Sequence, residues 1–259
     1  MAIPKKSLGQ HFLMHRQIAE RIVEAAGVTS EDTVLEIGPG TGMLTRALCA
    51  RVSKVIAVET DASLIPTLRE TFAHEIAEGK LVLVEADIRS FDTKTIAEPY
   101  KLVANIPYYI TGEIIRQFLE AAHKPLSLTL LIQKEVAVRI ARSKKESLLS
   151  LSVKAYGIPA YCFTVPRGAF FPPPNVDSAV LAIRDISTPF ASNVEESRFF
   201  EILHAGFAHK RKQLAKNLES IAPSEQIIEA FSEAHLSPKI RSEDVSLGSW
   251  KILARMLPA

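Results

Sequence analysis

The sequence predicts an α/β domain built on a mostly parallel sheet, followed by a small all-helical domain. Three observations lead there. Between Thr33 and Gln133, short apolar runs rich in Val, Ile and Leu alternate with stretches whose apolar residues recur every three or four positions. Those runs are continuous rather than alternating, as strands covered on both faces read, and helices between them imply parallel pairing with right-handed crossovers. From Thr188 onward only helical spacing remains.

Taken in order, an amphipathic stretch at 15–26 precedes the first strand. Residues 34–37, 55–58, 81–84, 102–104 and 128–132 are expected strands, and 44–51, 63–77 and 112–122 the helices between them. Beyond Arg142 a helix is expected at 147–155 and strands at 161–165 and 179–183. Between those strands lies Phe170-Phe171-Pro172-Pro173-Pro174, whose prolines impose a stiff, extended loop. The helices of the last part are expected at 195–207, 211–220, 224–234 and 246–256, with breaks near Pro223 and Pro238. A domain boundary is placed near residue 187, giving domains 1–187 and 188–259.

The composition, 47% hydrophobic and 23% charged, excludes low-complexity and wholly disordered chains. The longest apolar runs fall short of the ~18 residues of a membrane span, and Lys5 and Lys6 are not followed by the apolar stretch of a secretory leader. A cytoplasmic protein with no membrane partner is expected. Cys49 and Cys162 are far apart and lack neighbours at ligand spacing, so neither a disulfide framework nor a metal is expected. A net charge of +2 decides nothing about partners. Local clusters do more: Arg139, Arg142, Lys144 and Lys145 form one, and His209, Lys210, Arg211, Lys212 and Lys216 another. Each is either a solvated face or a track for a phosphate backbone.

Val34-Leu35-Glu36-Ile37-Gly38-Pro39-Gly40-Thr41-Gly42 is a strand running into a glycine turn at the mouth of a helix. Glycine permits positive φ and lets a ligand approach the backbone. The spacing places Gly38, Gly40 and Gly42 in G-x-G-x-G and departs from the dinucleotide fingerprint, which disfavours NAD. The second strand ends at Glu59, about 20 residues beyond Gly38, where such folds place an acid near a ribose. Asp87 and Ile88 follow the third strand on the same edge. Singly, these features read as an ordinary turn and solvated strand ends; in register after three strands they read as a nucleoside site. S-adenosylmethionine fits best, since a nucleoside without a pyrophosphate needs a ribose clamp and adenine contacts only.

The fourth strand ends in Asn105-Ile106-Pro107-Tyr108. An exocyclic adenine nitrogen is a poor nucleophile. Accepting its hydrogens at the Asn105 amide oxygen and a backbone carbonyl favours a more tetrahedral nitrogen, while Tyr108 stacks on the base and Pro107 fixes the turn. The alternative is a capped strand end with Tyr108 as core filler.

Lys6-Ser7-Leu8-Gly9-Gln10-His11-Phe12-Leu13, the glycine turn, Asn105 to Tyr108, Phe170 to Ser178 and the basic helix expected over Phe207 to Leu218 follow one another as in small-subunit rRNA adenine N6,N6-dimethyltransferases of the KsgA type, which the chain resembles over nearly its whole length. The resemblance implies a Rossmann-like S-adenosylmethionine-dependent methyltransferase domain with a small all-α C-terminal domain. It implies transfer of two methyls to each of two adjacent adenosines near the 3′ end of 16S rRNA, leaving S-adenosylhomocysteine as product. By matching motifs it assigns His11, Leu13, Gly38, Gly40, Gly42, Glu59, Asp87, Ile88 and Asn105 to the donor, and Asn105, Ile106, Pro107, Tyr108 and Phe170 to the reacting edge. Phe170 aligns with the second base-stacking aromatic of F-x-P-x-P, with Phe171 the less favoured candidate. His11 departs from the family's usual Asn, and Leu8 from a common Phe. Arg139, Arg142, Lys144, Lys145, Lys210, Arg211, Lys212 and Lys216 are the expected RNA contacts, and a monomer acting on the 16S rRNA of an immature small subunit is the expected form. His204 and His209 are expected to face solvent.

Two rivals remain. A large-subunit (23S) adenine methyltransferase of the macrolide-resistance type shares the Asn105 to Tyr108 and F-x-P-x-P motifs, against which Arg211-Lys212-Gln213 through Asn217-Leu218 and Arg241 to Leu247 favour the small-subunit group. A non-catalytic RNA-binding assembly or transcription factor on the same fold would not need intact Gly38, Glu59, Asp87, Asn105 and Tyr108.

Overall fold

The computed structural model describes residues 3–5 and 8–257; Lys6 and Ser7 of the arm motif lie outside the described residues. The chain begins with β1 (Phe12–Leu13) and α1 (Arg16–Ala26), then β2 (Thr33–Ile37), α2 (Met43–Cys49), β3 (Lys54–Glu59), α3 (Ile65–Thr71), α4 (Ala73–Ala77), β4 (Leu81–Glu85), β5 (Tyr100–Asn105), α5 (Thr111–Glu120), β6 (Leu128–Gln133) and α6 (Lys134–Ala141). There follow α7 (Leu148–Tyr156), β7 (Ile158–Val165), β8 (Phe170–Phe171), β9 (Ser178–Arg184), α8 (Asn193–Gly206), α9 (Leu214–Leu218), α10 (Ser224–Glu233) and α11 (Leu247–Met256).

Seven strands form one sheet in the order β4-β3-β2-β5-β6-β9-β7. Strands β2 to β6 pair in parallel, and β9 runs antiparallel to both β6 and β7. Every residue of β2 is buried, which is why its sequence reads as a run rather than an alternation. The order steps outward from β2 in both directions, so the crevice at the carboxyl ends of β2 and β5 is a topological switch point, where open sheets of this kind bind ligands.

The expected single helix at 63–77 is two, interrupted at Phe72 (φ −114°, ψ 26°). That ring is fully buried beneath Gly42, where a Cβ would stand only 2.5 Å from it. Packing overrides helical continuity there.

The chain divides into two compact units, one of residues 1–137 and 158–187, the other of 138–157 and 188–259. The single boundary expected at 187 therefore needs correction, because the segment 138–157 groups with the C-terminal part. Its helix α7 ends in Tyr156, which stacks on Phe200 and meets Phe190 edge-on. In the second unit, Phe199, Leu203, Leu214, Trp250 and Leu253 are buried, and Gly206 leaves no room for a side chain against the Trp250 ring. The helix expected at 211–220 is only α9. Residues 209–212 form a turn closed by Lys212 N–H to the His209 carbonyl (3.1 Å). No helix among the described residues is long and apolar enough to cross a membrane.

Candidate active site

A cleft in the first unit opens at the switch point, lined by Ile37, Gly38, Gly40, Glu59, Asp87, Ile88 and Asn105 to Ile110, and by Leu8 to Phe12 of the N-terminal arm. Most of the expected donor residues meet here because each follows the carboxyl end of a parallel strand.

The glycine turn has positive φ at Gly38 (64°), Gly40 (59°) and Gly42 (82°). Two of these serve the cleft. Gly40 N–H donates to Glu59 Oε2 (3.1 Å), and Asp61 N–H to Glu59 Oε1 (2.8 Å). Both carboxylate oxygens of Glu59 are thus held by backbone donors, and each retains a lone pair for a further hydrogen bond. Burial pushes the Glu59 carboxyl above its ordinary range, opposed by those N–H groups. Gly42, expected at the donor, instead meets Phe72 and Leu68 and does not line the cleft. Its glycine answers close packing.

Behind the turn, Glu36 is 1% exposed and neither of its oxygens has a hydrogen-bond partner. Burial pushes its carboxyl up to about 8; the nearby Thr45 hydroxyl, outside hydrogen-bonding geometry, opposes the rise and Glu59 adds to it. Burial therefore favours the protonated, neutral form of Glu36.

The arm is secured at a residue that the sequence reading passed over. Asp61, 2% exposed, accepts from Lys5 Nζ (2.6 Å), Gln10 Nε2 (2.9 Å), Ser63 Oγ (2.6 Å) and Ser63 N–H (3.0 Å). Burial alone would raise its carboxyl, but the hydrogen bonds from Lys5, Ser63 and Gln10 more than reverse this and hold it well below the usual range. The available signal was an acid two residues beyond Glu59, followed at i+2 by Ser, the pattern of an Asx turn. Further along, Phe12 lies on Gly40, whose added Cβ would come within 3.0 Å of the ring. Strand β1 pairs antiparallel with β8 in the register Phe12 to Phe171 and Leu13 to Phe170. Leu13, expected at the donor, lines a smaller adjoining cavity with Met43 and Leu44.

His11 and Asn105 meet where the arm crosses the cleft. Asn105 Nδ2 donates to the His11 carbonyl (3.0 Å), leaving Oδ1 as an acceptor. His11 Nδ1 donates to the Pro172 carbonyl (2.7 Å), and its ring stacks with Tyr108 at 5.9 Å between centroids. The Tyr108 hydroxyl is 2.6 Å from Ser178 Oγ, and burial pushes the phenol upward, so it stays un-ionised. Ile106 is buried, and Pro107 closes the turn by accepting from Ile110 N–H (3.3 Å). Asp87 is engaged by Arg89, which donates from Nη2 (2.6 Å) and from its backbone N–H (2.9 Å) and so lowers the carboxyl.

The expectation for Phe170 needs correction. It is 4% exposed and packs in the core cluster with Val165, Ala169 and Val180, whereas Phe171 is 45% exposed. Successive residues of a strand point to opposite faces, and the pairing with Leu13 turns Phe170 inward.

All eight expected RNA contacts lie in the second unit and are exposed. Lys145 is paired with Glu243 and lies 3.8 Å from Asp244, and Lys216 is paired with Glu219 (2.8 Å), so carboxylates offset two of the charges. Both clusters are tied to the segment 240–244: Leu214 N–H donates to the Ile240 carbonyl (2.9 Å), and Glu146 N–H to the Glu243 carbonyl (2.7 Å). His204 and His209 are exposed. Among the described residues no group of three His, Cys, Asp or Glu could hold a metal ion.

A family model described as ribosomal RNA adenine dimethylase matches residues 2–257. The chain is 42% identical over 255 residues to ribosomal RNA small subunit methyltransferase A of Dehalococcoides mccartyi, covering 96% of this chain and 87% of that one. It is 38% identical to the protein of the same name from Lactococcus lactis, covering 98% and 90%. Among solved structures, a dimethyladenosine transferase from Plasmodium falciparum is similar with a TM-score of 0.79 and 25% identity, covering 94% and 96%. The 23S rRNA methyltransferase ErmE is similar with a TM-score of 0.77 and 28% identity, covering 95% and 99%.

Proposed function

The chain belongs to the ribosomal RNA adenine dimethylase family, and we propose that its substrate is a pair of adjacent adenosines near the 3′ end of 16S rRNA in an immature small ribosomal subunit, met by a cytoplasmic monomer. It is an S-adenosylmethionine-dependent rRNA adenine N6,N6-dimethyltransferase. The resistance-type large-subunit reading is the weaker one, because the curated relatives at 42% and 38% identity carry the small-subunit name.

The observation that carries the assignment of roles is the convergence of Glu59 and Asn105 on one cleft, each with its remaining acceptor capacity defined by other hydrogen bonds. S-adenosylmethionine supplies a methyl group on a positively charged sulfur, a good leaving group. The lone pairs left on Glu59 suit the two ribose hydroxyls, and Asp87 and Ile88 suit the adenine of the donor. With its amide nitrogen tied to the arm, Asn105 offers Oδ1 to a hydrogen of the target N6. That contact favours a tetrahedral nitrogen whose lone pair is available for in-line attack, and Tyr108 holds the flipped base by stacking. Alignment accounts for the rate in this scheme: the N–C bond forms as the C–S bond breaks, S-adenosylhomocysteine leaves, and the proton released from the methylated N6 passes to water, so no side chain has to act as general acid or base.

Initial rates on immature 30S particles, protein-free small-subunit rRNA and protein-free large-subunit rRNA, read by mass spectrometry of the rRNA, test the proposal. Fastest dimethylation of adjacent adenosines in the particle is expected. Preference for the large-subunit RNA would overturn the substrate assignment, and tight particle binding without methylation would overturn the enzymatic reading.

A further inference from the structure

Tyr109 has no role in the scheme above. It follows Tyr108 directly, lines the cleft and is 67% exposed. The two tyrosines sit in a single 3₁₀ turn, Tyr108–Ile110, in which successive side chains diverge by about 120°. Tyr108 accordingly turns inward to Ser178 while Tyr109 stands at the rim.

This is not a loosely tethered surface side chain. Gly9 of the arm, with φ 60°, runs against the Tyr109 ring so closely that a Cβ there would lie 3.1 Å from Cε1 and 3.2 Å from Cδ1. The same stretch of arm is anchored one residue further on by Gln10 to Asp61. The ring is thus braced by backbone on one side and open on the other. Holding an aromatic in place beforehand removes part of the ordering cost of stacking on it.

An open, braced aromatic at the lip of a base-binding cleft suits a nucleobase, since every base has a π-face. We propose that Tyr109 is a stacking subsite for the nucleotide joined to the target, the other adenosine of the pair. The inference rests on the rRNA adenine methylation reading. A nucleotide linked to a base inside the cleft has to emerge at the rim, where this ring stands. With the strand's polarity fixed across the cleft, the ring takes the neighbour on one side of the target, so it serves one of the two methylation events. Tyr109 then acts on substrate register and on completion of the pair.

The test uses the full chain and immature 30S particles, with Tyr109→Ala, Tyr109→Phe and Tyr109→Trp. Calorimetry gives donor affinity, steady-state rates give KM for the particle, and mass spectrometry gives dimethylation at each adenosine. Tyr109→Ala should raise KM for the particle about tenfold and leave a larger fraction of particles with one adenosine unmodified, with donor affinity unchanged. Tyr109→Phe and Tyr109→Trp should restore both. Wild-type values for Tyr109→Ala in an active preparation would overturn the subsite alone, and a Tyr109→Phe defect as large as that of Ala would replace stacking with a role for the hydroxyl. A wild-type protein that methylates no rRNA would overturn the functional reading and the subsite with it.

Discussion

Replacing Asp61 by Ala should open the N-terminal arm and weaken donor binding without unfolding the protein. The carboxylate is buried and accepts four hydrogen bonds, two of them from the arm, Lys5 Nζ at 2.6 Å and Gln10 Nε2 at 2.9 Å. Lys5 is 47% exposed, so its pair is worth at most ~1 kcal/mol after solvent screening. The Gln10 bond to a buried charged acceptor contributes ~1.5 kcal/mol. Together the arm loses ~2 kcal/mol of closure, about a 30-fold fall in affinity where the open arm contributes nothing to the donor. Calorimetry of S-adenosylmethionine binding, with hydrogen exchange of residues 8–13, measures both halves of the argument. Because the Asp61 carboxyl is held below its ordinary value, the tether is complete above the unfolded value of roughly pH 4 and is lost as pH falls through the lower folded one. Arm protection in the wild type should therefore stay flat from neutral pH down to about pH 4. A folded Asp61→Ala protein with unchanged donor affinity and unchanged arm exchange would refute the reasoning.

Three further outcomes follow from the same geometry. Asn105→Ala should slow methyl transfer by about a hundredfold while donor affinity falls much less, because the lost acceptor serves the reacting nitrogen; single-turnover rates near wild type would remove Asn105 from that role. Phe170→Ala should cost ~3 kcal/mol or more of stability as a core truncation, whereas Phe171→Ala should leave the unfolding midpoint near wild type; a methylation defect in the stable Phe171→Ala protein would identify the exposed ring as the base contact. For Glu36 the folded carboxyl is raised to about 8, so the native state holds a proton that the unfolded chain releases near its ordinary value, and stability should decline as pH rises between them. The decline has a ceiling of ~3 kcal/mol at pH 7; Glu36→Gln should flatten that slope, and parallel stability curves for the two proteins would show that Glu36 does not titrate as described.

The sheet was legible because burial on both faces leaves a signal in every residue of a strand. In β2 and in Leu102, Val103 and Ala104 of β5 the side chains are apolar apart from Thr33 and Glu36, and the intervening helices leave one consistent handedness. What escaped depends on partners far along the chain. The break between α3 and α4 arises from a ring that fits beneath Gly42, and the attachment of α7 to the second unit arises from Tyr156 meeting Phe190 and Phe200. Strands β1 and β8 are two residues each, too short for a period to be read, and their register decides which of two adjacent phenylalanines is buried.

The site divides in the same way. Glu59, Asp87 and Asn105 could be found because strand order sends them to one edge, whatever the details of packing. For Asp61 only the local turn with Ser63 left a signal; its hold on the arm could not be read, since Lys5 and Gln10 lie more than 50 positions away in a segment with no periodicity. Yet this residue connects the two halves of the chemistry. Gly40 and Asp61 hold the two oxygens of Glu59, the Asp61 side chain holds Gln10, and the next residue, His11, supplies the carbonyl that orients the Asn105 amide. Glu59, proposed for the donor ribose, and Asn105, proposed for the target base, are therefore linked by one chain of hydrogen bonds that passes from the Asp61 backbone N–H through its side chain and the arm. Loosening it should cost the reaction at both ends, so Asp61→Ala should lower single-turnover methylation even at saturating donor, a loss that a simple donor-binding defect would not produce.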